Sequence, residues 1–240
     1  VRFMYFDTHC HLNSEQLFEN RDLYIQNAID RGVKYFTVVG YDLESSRLAV
    51  QIAHEYDFIY AAVGISPNDC KETTDEDLEA IEALAKDPKV VAVGEIGLDY
   101  YWDEASKEKQ IDCFKKQLEI VKQTNKPIVL HCVAAYDEVI AIKKEMKIEN
   151  PMIIHGFSKN ELVAKSLLNN GFYLSFGKYL LRNPDLEKVF TFAPENQILL
   201  ETDTIEESIY QVYEKAAAIK GISVEEMKTI VFTNFSTIFS

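Results

Sequence analysis

Eight short runs of apolar, β-favouring residues recur along the chain, and amphipathic stretches of helical spacing separate them. The runs are Phe3–Asp7, Tyr35–Val39, Phe58–Val63, Val90–Gly94, Ile128–His131, Met152–His155, Phe172–Phe176 and Ile198–Glu201. They are continuously apolar rather than alternating, which is how strands buried on both faces read. The stretches between them are Asn20–Arg31, Leu43–Glu55, Asp75–Lys86, Ser106–Gln123, Tyr136–Lys147, Glu161–Asn169, Pro184–Phe192 and Glu206–Lys220, and a last helix covers Val224–Ile238. Their apolar residues recur at the spacing of one helix face. Thr74 with Asp77, and Ser223 with Glu226, have the spacing of capping boxes at helix starts. Gly32 and Gly171 suit helix ends. Strict alternation of strand and helix implies parallel strands joined by right-handed crossovers. Eight such units predict an α/β fold, the TIM-type (β/α)8 barrel, as one domain over residues 1–240. A doubly wound open sheet is the alternative and would carry a glycine-rich first loop. The first loop here is Asp7-Thr8-His9-Cys10-His11, without glycine.

The chain has five histidines, and four of them stand where a strand ends: His9 and His11 at the first, His131 at the fifth, His155 at the sixth. Glu95 ends the fourth strand and Asp203 follows the eighth. In a parallel barrel all strand C-termini open on one mouth, so these six metal-competent side chains are expected to meet there. In an extended segment alternate residues share a face, so His9 and His11 grip one ion while Cys10 points away. Imidazole and carboxylate suit Zn²⁺, Mn²⁺ or Mg²⁺ in different proportions. Glu95 has two oxygens and can bridge two ions, and His131 and His155 can complete the shell of the second. Asp203 can bind the first ion and take a proton from its water, whose pKa the ion lowers towards about 7. Each element alone has a plainer reading: an unrelated His-x-His pair, a solvated acid in Gly94-Glu95-Ile96-Gly97, histidines capping strands. Their coincidence at one end of the fold favours a metal centre. His54, inside a helical stretch, reads as a surface histidine, and Cys10 and Cys132 as small buried residues.

The formal net charge is −14 and the sequence pI about 4.8. Such a chain repels a long phosphate backbone unless a local basic patch or bound cations reverse the field, and it has no dense Lys/Arg block. This weighs against stable binding of long duplexes and leaves strand ends and small phosphate esters. No apolar run approaches the length needed to cross a bilayer, so no membrane partner is expected. Cys10, Cys70, Cys113 and Cys132 form no C-x-x-C pair and fit a reduced, cytoplasmic setting. The first motif begins too near Val1 to leave room for a signal peptide, which points to the same compartment.

The motifs Asp7-Thr8-His9-Cys10-His11-Leu12, Gly94-Glu95-Ile96-Gly97-Leu98-Asp99-Tyr100-Tyr101, His131, His155-Gly156-Phe157-Ser158 and Leu200-Glu201-Thr202-Asp203 span nearly the whole chain. In content and order they resemble those of the TatD family of metal-dependent deoxyribonucleases, within the amidohydrolase-like barrels. Asn234-Phe235 fits that family's closing helix. The resemblance implies two divalent ions, Zn, Mg or Mn. His9, His11, Glu95 and Asp203 would hold one, and Glu95, His131 and His155 the other. Asp203 and Glu95 would be catalytic, and Asp7 and Glu201 would orient ligands. It also implies 3′-to-5′ exonuclease or related phosphodiesterase activity, on single-stranded DNA ends or small phosphodiesters.

The chain departs from the family pattern where a substrate would bind. Ser66 replaces a histidine in Gly64-Ile65-Ser66-Pro67, Val133 replaces an arginine, and Thr204-Ile205 replaces Ala/Ser-Pro. Arginine is the side chain best shaped for bidentate phosphate contact. Lys159, Lys178 and Arg182, after the sixth and seventh strands, are candidate replacements, with Ser66 and Ser158 as further substrate contacts. Tyr100, Tyr101 and Trp102 either stack on a base or pack their own loop. Two other functions stay open: hydrolysis of a non-nucleic-acid ester or amide with the same metals, and metal binding without catalysis.

Overall fold

The computed structural model describes residues 4–102, 104–204 and 208–239. The strands are β1 (Tyr5–Cys10), β2 (Val33–Val39), β3 (Ile59–Val63), β4 (Val90–Asp99), β5 (Ile128–Val133), β6 (Met152–Ile154), β7 (Tyr173–Phe176) and β8 (Ile198–Leu200). They follow one another in sequence order in one sheet. The pairs β1–β2, β3–β4, β4–β5, β5–β6 and β7–β8 are parallel. The helices are α1 (Glu15–Phe18), α2 (Arg21–Asp30), α3 (Leu43–Glu55), α4 (Asp75–Leu84), α5 (Lys107–Lys122) and α6 (Tyr136–Glu145), then α7 (Glu161–Asn169), α8 (Lys178–Arg182), α9 (Pro184–Phe192), α10 (Ile209–Lys220) and α11 (Val224–Ile238). This is the element order of a (β/α)8 barrel.

The expected starts at Phe3 and Glu206, and Ile205, lie outside the described residues. Elsewhere three strand ends need correction, β5 running through Val133 rather than stopping at His131. β1 runs through Cys10, so His9 sits within the strand rather than in the loop after it. β4 runs through Asp99 rather than stopping at Gly94. Its second half pairs with β5 as Ile96↔Leu130, Gly97↔His131, Leu98↔Cys132 and Asp99↔Val133. The short helices α1 and α8 and a 3-10 turn at Glu195–Gln197 are additions to the expected elements.

The chain packs as two compact units, Val1–Val38 with His155–Ser240, and Val39–Ile154. In the first, β1 and β8 are neighbours. Asp203 N donates to His9 O at 2.9 Å and His11 N to Asp203 O at 3.0 Å. The first and last strands of the order therefore bond to each other, as a sheet closed on itself requires. A polar seam reinforces the join: Thr8 Oγ1 donates to Leu200 O, and Thr202 donates through N and Oγ1 to the two oxygens of Asp7. Tyr213 is fully buried under β1, donating its hydroxyl to Phe6 O and accepting from Phe6 N. Among aromatic neighbours it can be buried because that hydroxyl is satisfied.

The second unit buries Ile59, Val63, Ile96, Phe114, Leu118 and Leu130 between β3–β6 and their helices. Two fully buried glutamines of α5 serve the strand ends, where ladder partners run out. Gln117 bonds both N and O of Ile65, and Gln110 both N and O of Asp99. A buried peptide group left without a partner would cost about as much as a lost hydrogen bond.

The local signals read in the sequence are present. Capping boxes start α4 at Thr74 and α11 at Ser223. Gly32 and Gly171 follow helix ends with φ of 92° and 80°. All four cysteines are free and buried, and the Cys10 thiol turns away from the His-x-His face to donate to Thr37 O. Among the described residues no helix is long and apolar enough to cross a membrane.

His54 is exposed on α3, as expected, but holds Asp87 at 2.8 Å. Burial pushes the Asp87 carboxyl up, yet the hydrogen bonds from His54 and Lys89 N outweigh it and leave it below its ordinary 3.8. A depressed folded-state pKa stabilises above the unfolded value, and that stability is lost as pH falls through the folded value. Asp87 should therefore titrate below 3.8 by NMR, and His54→Ala should move its midpoint upward. The accompanying stability change should stay under about 1 kcal/mol, as for other exposed pairs.

Candidate metal centre

In the first unit the β1–β8 join brings His9, His11 and Asp203 together. His9 Nε2 and His11 Nε2 are 3.2 Å apart. Asp203 Oδ1 lies 3.1 Å from the His11 nitrogen and 3.5 Å from that of His9. Bonds of about 2.0–2.1 Å to a four-coordinate cation put neighbouring ligand atoms about 3.3 Å apart, so the three donors stand as such a shell needs. His155 stacks on His9, ring centroids 4.2 Å apart and planes 5° apart. His9, His155 and Asp203 each offer one donor atom, all within 4.8 Å of one another. The donor set therefore fits a divalent cation. Asp203 is held with φ of 64°, a left-handed conformation that Asp tolerates better than most residues. Partial burial pushes its carboxyl up, but hydrogen bonds from His11 and His9 outweigh that and hold it well below the usual carboxylate range.

The two acids expected to orient ligands sit behind this group. Asp7 Oδ1 accepts from His9 N at 3.4 Å as well as from Thr202, and burial raises its carboxyl to about 7. Glu201 is fully buried, accepts from Gly156 N at 2.8 Å and Ser175 Oγ at 2.5 Å, and stands 3.5 Å from His155 Nδ1.

In the second unit Glu95 Oε1 is 3.0 Å from His131 Nδ1. Asp99, absent from the expected site residues, accepts from His131 Nε2 at 2.8 Å. Burial opposes its ionisation, but the bonds from His131, Trp102 N and Asn68 bring its carboxyl down to about 2. An ionised Asp99 on Nε2 fixes the tautomer that leaves the Nδ1 lone pair facing Glu95. Glu95 and Asp99 are four residues apart on one strand and so share its face. Gly94 and Gly97 permit this, because a Cβ on either would lie 2.5 Å from Val129 O or 2.0 Å from His131 O.

The candidate substrate residues divide. Lys178 points at the metal group, its Nζ 3.9 Å from Asp203 Oδ2 and 3.5 Å from Thr204 Oγ1. Ser158 is half-buried, and Lys159 and Arg182 are exposed. Two candidates are engaged within the protein. Ser66 is buried and donates its hydroxyl to Asp69 at 2.6 Å, so that proton is not offered to a substrate. Tyr100 bonds Glu138 at 2.5 Å and carries Lys107 Nζ 4.5 Å above its ring, so it packs the loop. Tyr101 and Trp102 remain 70% and 64% exposed.

A barrel order with His-x-His, Glu, His, His and Asp in or just after its strands defines a class, the metal-dependent hydrolases. The chain belongs to the TatD related DNase family, whose model matches residues 6–240. It is 36% identical to the metal-dependent hydrolase YabD of Bacillus subtilis (strain 168), over 98% of this chain and 99% of that one. It is 28% identical to the 3′-5′ ssDNA/RNA exonuclease TatD of Salmonella typhimurium, over 82% of this chain and 78% of that one. Among solved structures it is similar to the TatD homologue YJJV from Escherichia coli K12. The TM-score there is 0.90 at 25% identity, covering 98% of this chain and 97% of the other.

Proposed function

We propose that this metal-dependent hydrolase is a phosphodiesterase that removes nucleotides from the 3′ end of single-stranded nucleic acid, using two divalent cations. The observation that carries this reading is the His9–His11–Asp203 donor set with Lys178 beside it. The relatives named exonucleases support it. His9, His11, Glu95 and Asp203 would hold one ion, and Glu95, His131 and His155 the other. When bound, the ions supply Lewis acidity, activating water and offsetting phosphate charge. Asp203 is a carboxylate at neutral pH, the state needed to accept a proton from the attacking water. Lys178 adds a positive charge beside Asp203, where a phosphoryl oxygen would build negative charge. Asp99 holds the His131 ring so that its lone pair needs no reorganisation. We take residues 1–240 to work as one domain, in keeping with the family match over 6–240. Four free cysteines favour a reducing, cytoplasmic setting.

The test is release of mononucleotides from a 3′-labelled single strand by Zn²⁺-, Mn²⁺- or Mg²⁺-loaded protein. Cleavage should stop on chelation and should fall steeply on blunt duplex. A second reading, a non-phosphate ester or amide as substrate, draws on the spent hydroxyl of Ser66 and on Val133. A substrate panel separates the two. Rapid turnover of a carboxylic ester with DNA left intact would replace the first reading by the second.

A further inference from the structure

Tyr101 and Trp102 are neighbouring aromatics turned to solvent, in a T-shaped pair with ring centroids 5.1 Å apart. They do not ride on a loose loop. Asp99 Oδ1 accepts from Tyr101 N at 3.0 Å and Trp102 N at 3.1 Å, while its Oδ2 accepts from His131 Nε2 at 2.8 Å. Gln110, fully buried, clamps both backbone groups of Asp99 and also bonds Ala105 O beyond the pair. Tyr100 N is tied to Val133 O at 3.0 Å. One carboxylate thus fixes both the ring of a metal-ligand histidine and the peptide groups that present the two aromatics. Trp102 is three positions after Asp99, so their Cα atoms lie within about 10 Å of each other.

Two apolar faces kept in water on a pinned backbone ask for an occupant. The charge of the chain narrows it. At −14, and with Val133 where an arginine would hold phosphate, the protein has little general attraction for a sugar–phosphate backbone. Beyond the cations and Lys178 at the reacting phosphate, the rest of a strand is then held by contacts that need no positive charge. Stacking of a base on an aromatic side chain is such a contact, and it tolerates any sequence because every base has a π-face.

We propose that Tyr101 and Trp102 form a stacking ledge for a nucleobase of the substrate, with Asp99 as the positioning residue that sets the ledge in register with His131. The proposal rests on single-stranded nucleic acid being the substrate. It makes the base, rather than the phosphate, the main handle by which this chain holds a strand.

Trp102 is the only tryptophan in the chain, so its fluorescence reports on the ledge alone. Metal-loaded protein is titrated with dAMP, which has no phosphodiester to cleave, and with 2-deoxyribose 5-phosphate, which lacks the base. The ledge predicts saturable quenching by dAMP and none by the sugar phosphate. Equal responses to the two, or none to dAMP, overturn it. Steady-state kinetics on a short oligodeoxynucleotide give the second readout. Trp102→Ala should raise KM about tenfold with kcat within about twofold, and Trp102→Phe should restore most of the loss. An unchanged KM in an active enzyme overturns the ledge and leaves the nuclease reading standing. Quenching by dAMP in a protein that cleaves no nucleic acid does the reverse. Asp99→Asn, which keeps the shape but loses the charge, should both shift the Trp102 emission and weaken metal binding. A change in metal binding with unaltered Trp102 emission would remove Asp99 from the ledge.

Discussion

Asp203→Asn should lower hydrolysis by about 10³-fold or more while leaving the fold intact. Asn has the shape of Asp and can still accept from an imidazole N–H, so the β1–β8 join through the Asp203 backbone is untouched. What it loses is the charge. Two imidazole nitrogens 3.2 Å apart, with a carboxylate oxygen 3.1 and 3.5 Å from them, form a strong cation site only while that oxygen is anionic. Loss of the proton acceptor alone accounts for about 10²–10⁴-fold. The weaker grip on the cation adds to it. Two measurements should move together: mononucleotide release from single-stranded DNA, and bound metal per chain after dialysis. The circular dichroism spectrum should not move. Activity within tenfold of the parent, with metal content unchanged, would remove Asp203 from the chemistry.

The His9–His11–Asp203 group was legible from the sequence because its logic is local. His-x-His on a strand puts two rings on one face whatever surrounds them, and Asp203 follows a strand that a barrel must bring next to the first. Asp99 was in plain sight at the end of Gly94-Glu95-Ile96-Gly97-Leu98-Asp99, yet its role was hidden. Two glycines in four residues read as breakers and end the strand at Gly94, which severs Asp99 from the face it shares with Glu95. Only the close approach of β4 to β5 reveals that the glycines continue the strand. The engagement of Ser66 and Tyr100 within the protein was hidden for another reason. Their hydroxyls are taken by Asp69 and Glu138, and no periodicity or motif announces a hydrogen-bond partner. Lys178 gained its position from α8, a helix of five residues and too short to leave an amphipathic pattern.

Gly97→Ala should cost roughly 2–5 kcal/mol, and a second glycine isolates the cause. At Gly97 φ is 149°, and a Cβ would lie 2.0 Å from His131 O, a backbone atom that cannot swing aside. At Gly171 φ is 80°, also unfavourable to an L side chain, but nothing lies within 4 Å of the added carbon. Both substitutions carry a conformational penalty of about 1–2 kcal/mol. Only Gly97→Ala adds overpacking, worth about 1–3 kcal/mol and occasionally more. Urea unfolding of the two variants should therefore separate them by at least about 1 kcal/mol, with equal slopes. The clash also has a direction. Relief requires β5 to move away from β4 at His131, which stretches the 3.0 Å contact between His131 Nδ1 and Glu95. Gly97→Ala should thus lose metal affinity as well as stability, whereas Gly171→Ala should bind metal like the parent. If Gly97→Ala proves as mild as Gly171→Ala in both respects, Glu95 and His131 do not owe their pairing to the glycine-permitted approach of the two strands.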